Sequence, residues 1–195
     1  MQPLFLLILA SGSPRRKALL KDLGLRLKIV PAEVREIPRS KEDPVFFSKR
    51  MAEAKAGIVS SLYPSQWILG ADTVVVSGEK ILGKPKNFQE AKSFLRLLSG
   101  ETHEVITGFC LKHRVLNRSL IQSVSTRVSF KSLSREEIDW YVRTGEPLDK
   151  AGAYAIQGKG AFCVKAIRGS YTNVVGLPMT EVLEALKKYA GFQLG

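Results

Sequence analysis

Cysteine is scarce in this chain. Cys110 and Cys163 stand alone, with no second thiol or histidine at metal-ligand spacing, which argues against a disulfide scaffold or a zinc site and for buried free thiols in a reducing cytoplasm. Histidine is limited to His103 and His113, which share no helical or strand spacing and receive neither a metal nor a base role. Aromatic residues make up 8%, few of them among the basic ones, so a stacking platform for single-stranded nucleic acid is not expected. Long apolar runs are missing too. The run at residues 4–10 is too short to cross a bilayer and has no basic residues before it, so neither a membrane partner nor a signal peptide is expected. There is no repeat, low-complexity tract or long linker, and no Walker A loop, since its second glycine and its lysine-serine or lysine-threonine pair are absent.

Acidic residues are outnumbered. Thirty lysines and arginines face eighteen carboxylates, for a formal charge of +12, and residues 1–55 alone hold twelve basic and six acidic groups. Polyanions are the natural partners of such a balance, although charge alone does not separate nucleic acid from a small triphosphate. With 195 residues, 45% of them apolar, the chain can bury one substantial core, and a single domain over residues 1–195 with room for two lobes is expected.

The pattern along the chain alternates α and β. Residues 4–10 read as a strand covered on both faces, and residues 14–23 as a helix ending at Gly24. Residues 27–30 form a short strand, 31–43 a loop, and Asp43-Pro44 opens a helix to about Ser60. A strong strand at 67–76 leads through a short hairpin to 81–82, and 88–98 is helical after Asn87. Strands at 104–113 and 121–131 flank a turn that includes Asn117 and pair as an antiparallel hairpin. Ser134 and Glu137 make a capping box for a helix to Thr144, residues 145–160 are a glycine-rich loop, 161–167 a strand, and 179–189 a closing helix. Crossover helices together with hairpins predict a curved mixed sheet flanked by helices.

Residues 9–16, LASGSPRR, join the first strand to the first helix through an anion-holding loop. Ser13 reads as the N-cap before Pro14, and free amides, the hydroxyls of Ser11 and Ser13 and the guanidinium groups of Arg15 and Arg16 converge there, as a phosphate requires. Against this stands the plain reading of a capped surface helix. Asp72 is a carboxylate inside the hydrophobic 67–76 strand, which demands a metal, a basic partner or hydrogen bonds; a salt-bridged core aspartate is the structural alternative. Lys55 on the second helix and Lys84 on the turn after the hairpin suit phosphate oxygens, yet each taken alone matches an ordinary surface lysine. Gln157 offers a donor and an acceptor on a loop of small residues, enough to read a base edge or simply to brace the loop.

Taken together, residues 9–16, 52–56, 70–76, 82–85, 98–100 with His103, 145–158 and 169–178 resemble, in order and spacing, the Maf family of nucleotide pyrophosphatases. Arg15 after Pro14, Thr73 after Asp72 and Gln157 before Gly158 are most similar to its dTTP/UTP pyrophosphatase branch. The resemblance implies an ITPase-like fold with a nucleotide cleft between two lobes. It implies hydrolysis of a nucleoside triphosphate, dTTP and UTP favoured and modified pyrimidines included, to the monophosphate and pyrophosphate, as house-cleaning with Mg²⁺ or Mn²⁺. Asp72 then matches the catalytic proton acceptor, Arg15, Thr73 and Gln157 the specificity positions, and Asp72 with Glu36 the metal-binding acids. Ser11, Ser13, Arg16, Lys55, Lys84 and Lys150 would meet the phosphates. Arg35 departs from the pattern, since that position is often acidic in relatives, and its missing negative charge either weakens metal binding or moves it onto Asp72 and the substrate. Relatives also suggest a homodimer with Phe192 near the contact, whereas a terminal aromatic more often folds back on its own domain. Rival readings are a nucleic-acid-binding module, whose affinity would fall steeply with salt, and a regulatory protein acting through its basic surface without hydrolysis.

Overall fold

The computed structural model describes residues 5–193; Leu4, where the opening strand was expected to begin, lies outside them. Strands β1 (Leu6–Leu9), β2 (Arg26–Ile29), β3 (Trp67–Ser77), β4 (Lys80–Leu82), β5 (Thr102–His113), β6 (Arg118–Phe130) and β7 (Val164–Arg168) form a seven-stranded sheet in the order β2-β1-β3-β5-β6-β7, with β4 paired to β3 off this path. β1 runs parallel to β2 and β3, while β3–β4 and β6–β7 are antiparallel, so the sheet is mixed, as the alternation of crossovers and hairpins predicts. Helices α1 (Pro14–Lys21), α2 (Pro44–Leu62), α3 (Phe88–Leu98), α4 (Arg135–Arg143), α5 (Tyr171–Val175) and α6 (Met179–Ala190) flank it. None of them is long and apolar enough to cross a membrane.

The described chain resolves into two compact units. One comprises the residues up to Asp72, Thr107–Val124 and those from Gly176 onward; the other comprises Thr73–Ile106 and Ser125–Val175. In the first unit the strand pleat sorts side chains into two cores. Leu7 and Leu9 of β1 and Leu69 and Ala71 of β3 pack with Leu20 of α1 and Val182 and Leu186 of α6. Ile8, Ala10 and Ile68, of the opposite parity, pack with Ala52, Ala56 and Val59 of α2. β1 is therefore covered on both faces, which explains its uninterrupted apolar sequence. Phe192 packs its ring against Phe5, with centroids 5.5 Å apart, and so takes the folded-back course. The second unit buries the apolar faces of α3 and α4 against the ends of β3, β5 and β6, with Leu95, Leu98, Ile138 and Tyr141 at the centre.

Helix starts follow the capping chemistry read from the sequence. Asp43 accepts from the Phe46 amide at 2.9 Å, Asn87 from Glu90 at 2.9 Å, and Ser134 and Glu137 form a reciprocal capping box. Departures have local causes. α1 stops at Lys21 rather than Leu23 because the amides of Leu23 and Gly24 tighten onto the carbonyls of Leu20 and Lys21. β6 begins at Arg118 rather than Ile121, since the turn closes in the four residues 114–117, with Asn117 at φ 49°. The expected strand over 161–167 starts only at Val164, because Gly158–Cys163 is a 3-10 segment whose amides turn to the Glu146 side chain. The expected loop over 145–160 is likewise built largely of 3-10 turns, at Glu146–Asp149 and Ala151–Ala153. α5 is too short to leave a periodic trace in the sequence.

Cys110 and Cys163 are free and buried, and burial pushes their thiols up to about 11 and about 12. His103 is also buried. Its Nε2 lies 2.7 Å from the Tyr154 hydroxyl, the Phe130 ring stands edge-on to it, and burial drives the imidazole down to about 4. The folded state thus binds its proton later than the unfolded chain does. Stability from this residue is full above the unfolded value near 6.5 and is lost as pH falls toward about 4, by roughly 3 kcal/mol in all. Chemical denaturation across that window should show His103→Asn losing less stability on acidification than the parent; equal slopes would refute it.

Candidate active site

The first unit gathers Asp72, Lys55, Glu36 and the first-helix arginine around the C-terminal end of β1 and the middle of β3. Ser13 caps α1, its hydroxyl accepting from the Arg16 amide at 3.4 Å, and this orients the first turn so that Arg16 points inward. The Arg16 side chain is buried and pinned at several points. Its Nε donates to the Gly176 carbonyl at 2.8 Å, and Nη1 donates to the Ala71 carbonyl at 3.0 Å and the Ser11 hydroxyl at 3.1 Å. Ser11 also accepts from the Ser13 amide at 3.3 Å. Burial lowers the Arg16 pKa, opposed by the Asp72 carboxylate and reinforced by the positive charge of Arg15, which places Arg15 in the same electrostatic neighbourhood.

Strand parity brings Asp72 to its partner. Residues 68, 70 and 72 share one face of β3, and Ile68 packs on α2. At Gly70 the strand and helix approach so closely that a Cβ would lie 2.3 Å from the Ala52 carbonyl and 2.8 Å from the Ala56 nitrogen. Lys55 stands on the same helix and meets the next position on that face: its Nζ is 2.6 Å from Asp72 Oδ1. The same ammonium lies 2.6 Å from Glu36 Oε1. Asp72 and Lys55 are both buried, while the Glu36 side chain is 37% exposed, so the cluster opens to solvent on its Glu36 side. Burial raises the Asp72 pKa, and the Glu36 charge adds to this; Lys55 and Arg16 pull the other way without cancelling it. Of the two readings of Asp72, the structure shows the salt-bridged one, with Lys55 as the partner.

Glu36 comes from the loop between β2 and α2, which is held by a second ion pair. Arg50 clasps Glu42 through Nε at 2.7 Å and Nη2 at 2.6 Å and also donates to the Ile37 carbonyl at 3.2 Å. Its hydrogen bonds hold the Glu42 carboxyl down at about 2. Arg35, the departure from the family pattern, is exposed beside Glu36.

The remaining expected site residues belong to the second unit. Thr73 is its first residue, partly buried on β3. Lys84 is exposed on the turn after β4, and Lys150 pairs with Asp149. Their two segments are tied by the Gly152 amide donating to the Gly83 carbonyl at 3.0 Å. Gly152, at φ +68°, also seats on Val75, where a Cβ would meet a methyl group at 2.8 Å. Gln157 is exposed, at the start of the Gly158–Cys163 turn.

As a metal site, the donor set is specific in what it fits. Among the described residues, no three His, Cys, Asp or Glu side chains group to cage an ion. Glu36 and Asp72 nevertheless aim carboxylate oxygens at one point now shared with the Lys55 ammonium. Two hard oxygen donors suit a magnesium-type ion that completes its coordination with water and phosphate oxygens, rather than a resident all-protein site. Sequence reading missed the Gly176 carbonyl that fixes Arg16, the close approach at Gly70, and Glu146 with Tyr141 beneath the Gln157 loop. Only Gly70, a glycine inside a strand, left a readable trace.

The chain matches the family model described as "Maf-like protein" over residues 6–189. A protein of Geobacter sp. (strain M21) named dTTP/UTP pyrophosphatase is 49% identical over 181 residues, covering 93% of this chain and 94% of that protein. One of the same name from Myxococcus xanthus is 48% identical over 189 residues, covering 97% and 94%. Among solved structures, a HAM1 protein from Coxiella burnetii superposes with a TM-score of 0.44 at 16% identity, over 67% of this chain and 75% of that one. With the match spanning nearly every described residue and identity near one half, this chain belongs to the Maf family.

Proposed function

We propose that this protein hydrolyses nucleoside triphosphates, dTTP and UTP in preference to purine nucleotides, to the monophosphate and pyrophosphate, and so removes unwanted nucleotides from the pool. The reading takes residues 1–195 as one functional domain. The observation that carries it is the buried Asp72 against Lys55, beside a pinned Arg16, in a chain about half identical to proteins named dTTP/UTP pyrophosphatase.

A phosphoanhydride resists attack because its oxygens repel the nucleophile, so the site must supply positive charge and a base. Arg16 supplies fixed charge: its guanidinium is held by carbonyl oxygens and does not reorganise when the phosphates arrive. Ser11, Ser13, Lys84 and Lys150 are the further phosphate contacts in this reading; Lys55, also expected there, is engaged by Asp72 and Glu36. Asp72 or Glu36 accepts the proton of a water that attacks phosphorus as the bond to the leaving pyrophosphate breaks, and because a carboxylate that binds metal is the poorer base, the two duties compete at Asp72. Burial, by raising the Asp72 pKa, makes it a better base than an exposed carboxylate. Lys55 then stabilises whichever of Asp72 and Glu36 remains charged. A magnesium or manganese ion, held by Asp72 and Glu36 with the phosphates, would draw charge from the phosphate oxygens. Arg15, Thr73 and Gln157 choose the base.

A panel of nucleotides assayed with each metal tests the reading. Pyrophosphate should appear from dTTP and UTP faster than from ATP and GTP, stop on chelation, and resume when Mg²⁺ or Mn²⁺ is restored. Release of inorganic phosphate alone would put the cut at another bond and overturn the assignment.

A further inference from the structure

The loop carrying Gln157 is wrapped around one pair of side chains. Glu146 Oε1 accepts from the Tyr141 hydroxyl at 2.9 Å and from the Gly160 amide at 3.0 Å, and Oε2 accepts from the Lys159 amide at 3.0 Å. The Tyr141 hydroxyl in turn accepts from the Ala155 amide at 3.3 Å. The pair therefore grips the backbone at Ala155 on one side of Gln157 and at Lys159 and Gly160 on the other.

The glycines of this loop show how close that grip is. Gly158, at φ +73°, has Glu146 Oε2 where a Cβ would come within 2.9 Å, and a Cβ on Gly160 would lie 2.2 Å from the Tyr141 hydroxyl oxygen. Tyr141 is fully buried in the core of its unit, so the grip is anchored to a rigid element rather than to another loop. Burial pushes the Glu146 carboxyl up, but the amides of Lys159 and Gly160 and the Tyr141 hydroxyl outweigh it and hold the group below the usual carboxylate range. It stays charged and an acceptor on both oxygens at neutral pH.

We propose that Glu146, braced by Tyr141, is a positioning residue that sets base selectivity by fixing the backbone on both sides of Gln157. This rests on the reading that Gln157 meets the base. A glutamine amide discriminates only if its donor and acceptor are held in register with the base edge, and a displacement of about an ångström loses most of that discrimination. Glu146→Gln keeps the size but turns one acceptor into a donor, so one loop amide or the Tyr141 hydroxyl loses its partner.

The test compares kcat/KM for UTP and ATP in the full chain, in Glu146→Gln, Tyr141→Phe, Gln157→Leu and the Glu146→Gln/Gln157→Leu double variant. Glu146→Gln should lower the UTP-to-ATP ratio about tenfold, chiefly through the KM for UTP, with Tyr141→Phe moving it in the same direction. The double variant should discriminate no worse than Gln157→Leu alone, because both changes remove one function. Equal losses on both nucleotides, or an unchanged ratio, would overturn the proposal and leave Glu146 a merely structural residue. If Gln157→Leu itself leaves the ratio untouched, base reading by Gln157 fails instead. If Glu146→Gln does not fold, Tyr141→Phe decides by the same ratio.

Discussion

Asp72→Asn is expected to slow pyrophosphate release from UTP by about a thousandfold or more, the range over which a positioned general base acts. Asparagine keeps the shape of the side chain and an oxygen for the Lys55 ammonium, which also retains Glu36 at 2.6 Å. The fold should survive, because the substitution removes a buried charge rather than a packed group, and burial already disfavours that charge. Binding of a non-hydrolysable UTP analogue without metal should be equal or tighter, since a negative charge beside Arg16 and the phosphates is gone. Steady-state kinetics with calorimetric titration separates the two effects. A variant that still turns over at a tenth of the parental rate would remove Asp72 from the base role and point to Glu36. A biological effect that persists in the inactive variant would favour the regulatory reading over the enzymatic one.

Most of the fold was legible because its determinants are local. The caps at Ser13, Asp43, Asn87 and Ser134 each combine a side-chain acceptor with a following apolar repeat, and each starts a helix where expected. The strands buried on both faces carry continuous apolar runs, and hairpins carry their turn residues. The 145–163 region was less legible. Its first two 3-10 turns close on local carbonyls, but the last sends the Lys159 and Gly160 amides to Glu146, and the Ala155 amide goes to Tyr141, acceptors whose purpose appears only when the chain folds back to them. For the site, the sequence marked Asp72 as a carboxylate needing compensation and Arg16 as one of two arginines at a helix start. Which cation would answer Asp72 was not readable, because Lys55 lies seventeen positions away and the pairing follows from pleat parity and helix seating. Glu36 is drawn in by the same ammonium, through a loop whose hold by Arg50 and Glu42 leaves no periodic trace.

That seating gives the second large effect. Gly70→Ala introduces one methyl group where the Ala52 carbonyl would lie 2.3 Å away and the Ala56 nitrogen 2.8 Å away, and helix backbone cannot yield as a flexible side chain does. Either α2 lifts from β3 or the strand bends, and the overpacking costs about 1–3 kcal/mol or more. For a chain of this size, the melting temperature should fall by roughly 3–10 °C. Lys55 rides on the displaced segment, between Ala52 and Ala56, so its contact with Asp72 stretches along with the packing. Activity of the folded variant, measured well below its melting point, should drop by about a hundredfold, the scale on which misplacements of an ångström act. Gly57→Ala is the matched control on the same helix. A Cβ there meets nothing within 4 Å, and replacing glycine in a helix interior should add about 0.5–1 kcal/mol of stability with activity unchanged. Differential scanning calorimetry and pyrophosphate release on the pair distinguish a helix whose seating sets the lysine from one that merely covers the sheet. Parental turnover in a destabilised Gly70→Ala would mean that Lys55 reaches Asp72 by its own flexibility. Loss of both stability and turnover, with Gly57→Ala retaining both, would mean that the missing side chain at position 70 is what brings the ammonium to the acid.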